Sequence, residues 1–157
     1  MSNELSILIE TLQKKEDVLR LILEKSKEQL EIVEADEFDE QAFDNCFNDK
    51  DSLLEEMNRL DEGFDGVYNR IKVELKANLD DYKPQVASLQ QLIRSTMDIG
   101  SEIHLTENKV KDALPAALSE RKKNLLDKRV TANNVASYYR ASKMMSVQDS
   151  YFMDHKQ

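Results

Sequence analysis

The chain has 157 residues, 34% of them charged and 6% aromatic, with three Gly, two Pro and a formal net charge of −9. That length suits one domain, or a helical core with an appendage. Scarce turn formers exclude sandwiches, barrels and α/β folds, which need punctuation about every dozen residues, and leave an all-α fold. We expect an antiparallel bundle of three long helices over residues 1–130, with a short C-terminal helix or flexible tail over 131–157. The charge is uneven: residues 1–82 hold 23 acids and 10 bases, and residues 83–157 hold 8 acids and 12 bases. Such halves attract. Either an acidic hairpin packs against a basic third segment, or the basic surplus is kept for an acidic partner.

The first helix is expected to start at Asn3, as N-cap, with Glu4 in its first turn, and to end near Ala35. Leu5, Leu8, Leu12, Leu19, Ile22, Leu30 and Val33 keep a three-four spacing. Ile7, Val18 and Leu21 widen that stripe, which predicts a core-facing bundle helix rather than a strict coiled-coil seam. Ala35-Asp36-Glu37-Phe38-Asp39 is a turn. Asp39 as N-cap of a second helix would set Phe38 against Phe43 as a hydrophobic staple.

The second helix carries the longest apolar stripe of the chain, from Phe43 through Phe47, Leu54, Met57, Leu60, Phe64, Val67, Ile71, Leu75 and Leu79 to Tyr82, with Lys50 filling one skipped turn. Nothing that long is stable as a lone rod, so it needs partner helices. Gly63 and Gly66 are its weakest point. The stripe stays in phase across them, and that predicts a continuous helix, straight or bent, rather than a loop. Asn78, Asp80, Asp81 and Pro84 signal a turn, with Lys83 biased out of the α region by the proline after it. A third helix starts with Pro84 near its first position. Val86, Leu89, Ile93, Met97, Gly100, Ile103, Val110 and Leu114 mark its expected buried face, Gly100 permitting close helix approach, and Pro115 ends or kinks it. Ala116, Ala117, Leu118, Leu125 and Leu126 can resume it.

After Thr131 the character changes. Val135, Tyr138, Tyr139, Met144 and Met145 fit a short amphipathic helix, and Tyr151, Phe152 and Met153 precede the polar end. Residues 131–157 hold Tyr138, Tyr139, Tyr151 and Phe152 of the five Tyr and five Phe, and Met144, Met145 and Met153 of the six Met. A plain disordered tail is poor in both. Either these residues complete the bundle core, or they form a helix-in-groove binding element whose flexible Met side chains adapt to a partner.

Chemistry-bearing patterns are scarce. His104 and His155 lie in no H-E-x-x-H arrangement and have no Glu three residues before them, so neither a zinc protease nor a di-iron bundle is expected, and His104 reads as a surface residue. The cluster Asp36-Glu37-Phe38-Asp39-Glu40 lacks the alternation, Gly and final Glu of a calcium loop. No phosphate-binding glycine pattern occurs. The basic cluster Arg121, Lys122, Lys123, Lys128 and Arg129 stands in an acidic chain without interleaved aromatics, which argues against nucleic acid. No catalytic, metal or cofactor-binding residues are therefore assigned. The lone Cys46 cannot form an internal disulfide and is expected to be a small buried hydrophobe of a cytoplasmic protein. The N-terminus lacks a signal-peptide pattern, and apolar runs such as Leu21-Ile22-Leu23 are far too short to insert in a membrane.

The first helix with Leu5, Leu12 and Leu19, the turn Ala35–Asp39, the run Asn48-Asp49-Lys50-Asp51-Ser52-Leu53-Leu54-Glu55-Glu56 and the sequel Leu60-Asp61-Glu62-Gly63-Phe64-Asp65 resemble the FlgN family of flagellar export chaperones. The ending Tyr151-Phe152-Met153-Asp154-His155-Lys156 is similar to aromatic-plus-Asp-Lys tails of such proteins, with His155 where a Lys is expected. The resemblance implies a non-enzymatic, cytoplasmic helical chaperone that binds the terminal helices of hook-associated (hook–filament junction) proteins. It would prevent their premature assembly and deliver them to the flagellar type III export gate. It further implies client contact through Val135, Tyr138, Tyr139, Met144, Met145, Tyr151, Phe152 and Met153. A homodimer of the free protein stays open, as does a helical coiled-coil adaptor or structural protein with no flagellar role.

Overall fold

The computed structural model describes residues 1–120, which form three helices: α1 (Ser2–Glu34), α2 (Glu40–Ala77) and α3 (Lys83–Glu120). A single 3-10 turn, Leu79–Tyr82, joins the last two, and no strand occurs among the described residues. Lys15 pairs with Asp61 and Lys25 with Asp49, so α2 runs antiparallel to α1. Leu8 and Leu12 share a cluster with Leu89 and Ile93, and Ser26 bonds Glu107, so α3 runs parallel to α1.

Most buried residues of each helix follow one rule, with Cys46, Val67 and Ile99 beside it. On α1 they are Leu5, Leu8, Leu12, Lys15, Leu19, Ile22, Ser26, Gln29 and Val33, in alternating steps of three and four, with Val18 beside them. On α2 the same alternation links Phe43, Phe47, Lys50, Leu54, Met57, Tyr68, Ile71 and Leu75, and on α3 it links Leu89, Ile93, Thr96, Ile103, Glu107, Val110 and Ala117. This is the seven-residue a/d repeat of a coiled coil, in which side chains of one helix fill holes on the next. The broad stripe expected on α1 is thus narrower in fact. Val18 is buried, but Ile7 and Leu21 turn outward at 44% and 47% exposure.

The loops show local chemistry at work. Asp39 Oδ1 accepts the Ala42 N–H at 3.1 Å, capping α2. The rings of Phe38 and Phe43 meet edge-on at 5.5 Å, and Phe43 meets Phe47 at 4.9 Å, so the staple is present and sets the entry angle of the chain. α2 is continuous through Gly63 and Gly66, and a Cβ at either glycine would meet nothing within 4 Å. No packing contact within the described bundle requires them to be glycine.

Five expectations are corrected. Met1, not Asn3, is the N-cap of α1: its carbonyl accepts the Leu5 N–H, and its ammonium pairs with Glu4 at 2.7 Å, leaving Asn3 exposed inside the helix. α2 stops at Ala77, and Leu79 and Tyr82 reach the core from the 3-10 turn instead. Lys83 is helical at φ −49°, ψ −48°, because the 3-10 turn delivers the chain directly into α3 and the proline bias is overridden. Met97 is 38% exposed, since the a/d alternation selects Thr96 in its place. Of the two outcomes expected at Pro115, an end of α3 does not occur: the helix resumes through Ala116, and Leu114, Ala117 and Leu118 pack in the third core cluster, which outweighs the missing N–H.

Apolar side chains gather in three clusters along the bundle. One lies around Leu5, Leu8, Tyr68, Ile71 and Leu89, a second around Leu19, Ile22, Met57 and Ile103, and a third around Val33, Phe38, Phe43, Phe47 and Val110. Each fully buried large side chain contributes roughly 1.5–3 kcal/mol. α1 lies close to both neighbours, whereas no described Cα of α2 comes within 8 Å of one of α3. α1 is therefore the central element, not α2 with its longer stripe.

Gly63→Ala is expected to raise the unfolding free energy by about 0.5–1 kcal/mol, because open space surrounds the position. Asp39→Ala should lower it by about 1 kcal/mol. Urea unfolding followed by far-UV circular dichroism checks both; an unchanged midpoint for Asp39→Ala would refute the cap.

Candidate functional site

The partner-binding residues expected from sequence, Val135, Tyr138, Tyr139, Met144, Met145, Tyr151, Phe152 and Met153, lie outside the described residues, as do Leu125, Leu126, the Arg121–Arg129 cluster and His155. Within residues 1–120 the chemistry is concentrated in two polar layers that interrupt the apolar clusters.

The larger layer joins all three helices. Lys50 of α2 and Glu107 of α3 are 1% and 2% exposed, and Lys50 Nζ donates to Glu107 Oε1 at 2.5 Å. Ser26 of α1, fully buried, donates its hydroxyl to the same oxygen at 2.6 Å. The Lys50 ammonium also stands 5.0 Å from the centre of the Phe47 ring, a cation–π contact. Burial pushes the Lys50 pKa below its ordinary value, and the Glu107 carboxylate opposes that fall. One layer further in sequence, Gln29 Nε2 donates to the Phe43 carbonyl at 3.3 Å, while its Oε1 has no partner among the described residues.

The second layer pairs Lys15, 2% exposed, with Asp61 at 2.8 Å. Burial raises the Asp61 pKa and Lys15 opposes the rise. The seven-residue register brings Thr96 level with them, its hydroxyl donating to the Ile93 carbonyl of its own helix at 2.8 Å. Lys50 is visible in the sequence as a break in an apolar stripe, but Glu107, Ser26, Lys15 and Asp61 escape that reading. Opposite charges at a/d positions of successive helices are the signal that could have found them.

The charge pairing also runs against expectation. The interhelical pair between α2 and α3 takes its cation from α2 and its carboxylate from α3, so the third helix does not serve as a basic partner for an acidic hairpin there. The basic surplus falls after residue 120, where residues 121–157 hold eight bases and three acids.

Cys46 is buried, as expected, with its Sγ 3.4 Å from Glu28 Oε2; burial, then that carboxylate, pushes the thiol up to about 11, too high for a reactive thiolate. His104 is exposed. Among the described residues no group of three His, Cys, Asp or Glu is placed to hold a metal, and no helix is long and apolar enough to cross a membrane. A shallow depression at the α2–α3 turn, lined by Asn78, Asp80, Asp81, Lys83 and Gln90, brings no acid–base pair into a desolvated cleft.

Lys50→Met should cost about 3–5 kcal/mol by stranding the Glu107 carboxylate, whereas Lys50→Met with Glu107→Leu should recover most of that loss. Thermal melting of the three proteins is the test, and additive losses in the double variant would count against the pairing. Asp51 offers a pH test. Its carboxyl is raised from 3.8 by burial, then by Glu55, so its charged form is disfavoured by folding. That cost is present above its folded pKa and vanishes as pH falls to 3.8 and below. Asp51→Asn is therefore expected to stabilise at neutral pH, with the gain disappearing in acid.

Comparison of the chain with protein-family models, with curated proteins and with solved structures finds no match.

Proposed function

We propose that the chain is a non-enzymatic flagellar export chaperone of the FlgN type. In this reading it works in the cytoplasm, holds the terminal helices of hook-associated proteins, prevents their premature assembly and hands them to the flagellar export gate. The observation that carries it is a division of labour. Residues 1–120 bury their own apolar stripes and satisfy both buried ion pairs, while an aromatic- and Met-rich segment follows at 131–157. The resemblance of the sequence from Leu5 to Asp65 supports the identity of the clients.

A client helix built to polymerise carries an apolar stripe, and covering it with a second amphipathic helix hides several hundred Å² at about 25 cal/mol per Å², less the cost of ordering. The affinity is accordingly modest, as suits a carrier that must release its cargo. A coiled-coil adaptor without a flagellar role is the second reading, favoured by the seven-residue a/d repeat that runs through all three helices. A tight homodimer in sedimentation, with no affinity for flagellar helices, would select it.

Deleting residues 131–157 is expected to leave helicity and melting of the bundle largely intact while abolishing capture by isolated terminal helices of hook-associated proteins. Loss of the fold would instead assign the segment to the core, and retained capture would refute the placement of the client site.

A further inference from the structure

In a three-cornered bundle every helix has two close neighbours, with axes about 8–10 Å apart. Here α1 alone has two. Its Cα atoms come within 8 Å of both α2 and α3, while no described Cα of α2 comes that near one of α3. Only long side chains such as the Lys50–Glu107 pair bridge that gap. α2 and α3 are thus related as the diagonal of a square bundle, with α1 on one side of the diagonal and an open corner on the other.

Burial follows the same division. On α3, Ile99 is buried in the cluster of Leu19 and Ile22 and marks the flank turned to α1. The seven-residue row next to it, Leu89, Thr96, Ile103, Val110 and Ala117, is buried throughout. In the row on the other side alternate members, Val86, Gly100 and Leu114, are only half-buried, and beyond them Met97 is 38% exposed. On α2, Cys46 meets Glu28 of α1, and the opposite flank carries Asp51, Asn58, Asp65 and Lys72, with Phe64 half-buried beside them. At the hairpin end the corner widens into the depression between Lys76, Val86, Ala87 and Gln90, about 830 Å³ in volume. The walls carry both signs of charge, so apolar contact and shape select what enters.

The chain supplies a segment of that kind. Residues 121–157 follow the described part of α3. α3 is itself a wall of the corner, and α1 already covers its other flank. Val135, Tyr138, Tyr139 and Met145 fall within about 120° of one another around a helix, which gives one apolar face. A tethered segment is present at roughly millimolar effective concentration, well above a second copy in dilute solution.

We propose that the open corner between Asn58 and Phe64 of α2 and Met97 and Gly100 of α3 receives the chain's own segment 135–145 as a fourth helix when no partner is bound. The bare backbone at Gly100 lets that helix come near α3. Docking hides the Tyr and Met side chains of the segment, so a partner helix must displace it. That competition rests on the segment being the binding element proposed above. The docking rests on the geometry of the bundle and is measured without a client, so either reading can fail alone.

The test is hydrogen exchange of the full chain, read by mass spectrometry. Counted from the Lys50–Glu107 pair, Asn58 and Met97 are about level, so Asn58→Lys with Met97→Lys sets two cations across the corner. Leu105→Lys, at a 61% exposed position on the outer face of α3, is the control. Amides of residues 135–145 should exchange about tenfold faster in the double variant than in the parent, and Leu105→Lys should match the parent. Amides of α1 should stay protected in all three proteins; if the double variant unfolds, Met97→Lys alone decides. Equal exchange of 135–145 in the parent and in a folded corner variant would overturn the proposal. So would protection that grows with protein concentration alongside a dimer in sedimentation, which would give the corner to a second copy. Protection around Met97 that arises only on adding a client helix, with 135–145 unprotected in the free chain, would overturn it in favour of a partner.

Discussion

Glu107 is the point on which the bundle turns. One buried carboxylate oxygen accepts from Ser26 of α1 and from Lys50 of α2, so a single acceptor on α3 is shared by all three helices. Leu, Ile and Val tolerate a slip of seven residues, because another apolar side chain arrives in the same hole. A buried charge does not tolerate it. Moved by one repeat, Lys50 or Glu107 would face an apolar layer without a partner, at a cost of several kcal/mol. Lys15 and Asp61 impose the same condition elsewhere along the bundle. The apolar clusters supply most of the stability, and the two polar layers select which alignment of the three helices receives it.

This division accounts for the position of α1. Its seam, with Leu5, Leu8, Leu12, Lys15, Leu19, Ile22, Ser26, Gln29 and Val33 buried, is packed by both neighbours. α2 and α3 face each other through Phe47, Lys50, Tyr68 and Glu107, whose length holds the two backbones apart while the side chains still meet. A stripe can be the longest in the chain and belong to a peripheral helix, because centrality depends on how closely a helix can be approached from two sides.

The same architecture leaves an outer surface with separate properties. α1 presents an acid at Glu10, Asp17, Glu24 and Glu31, while Ile7 and Leu21 beside them remain partly exposed. The stabilising seam and the partly exposed Ile7 and Leu21 are thus different columns of one helix, and changes to one need not disturb the other.

The three long helices, the Asp39 cap, the Phe38–Phe43 staple and the continuity of α2 across Gly63 and Gly66 were legible in the sequence. Each rests on spacing or on bonds between residues a few positions apart. The partner-binding residues expected after Thr131 rest on composition alone and lie outside the described residues. Pairing at long range was hidden: that Lys50 meets Glu107 and Ser26, that Ile7 and Leu21 turn outward, that Met97 yields to Thr96, and that α3 runs on through Pro115. The amino-acid sequence by itself determined an all-α fold and the starts of its three helices to within a residue or two, because helix formation answers to neighbours three and four positions away. Tertiary structure alone decided which helix is central and which charges share a layer, because those depend on the register between helices, and register is settled only when a buried charge finds its partner on another strand of the bundle.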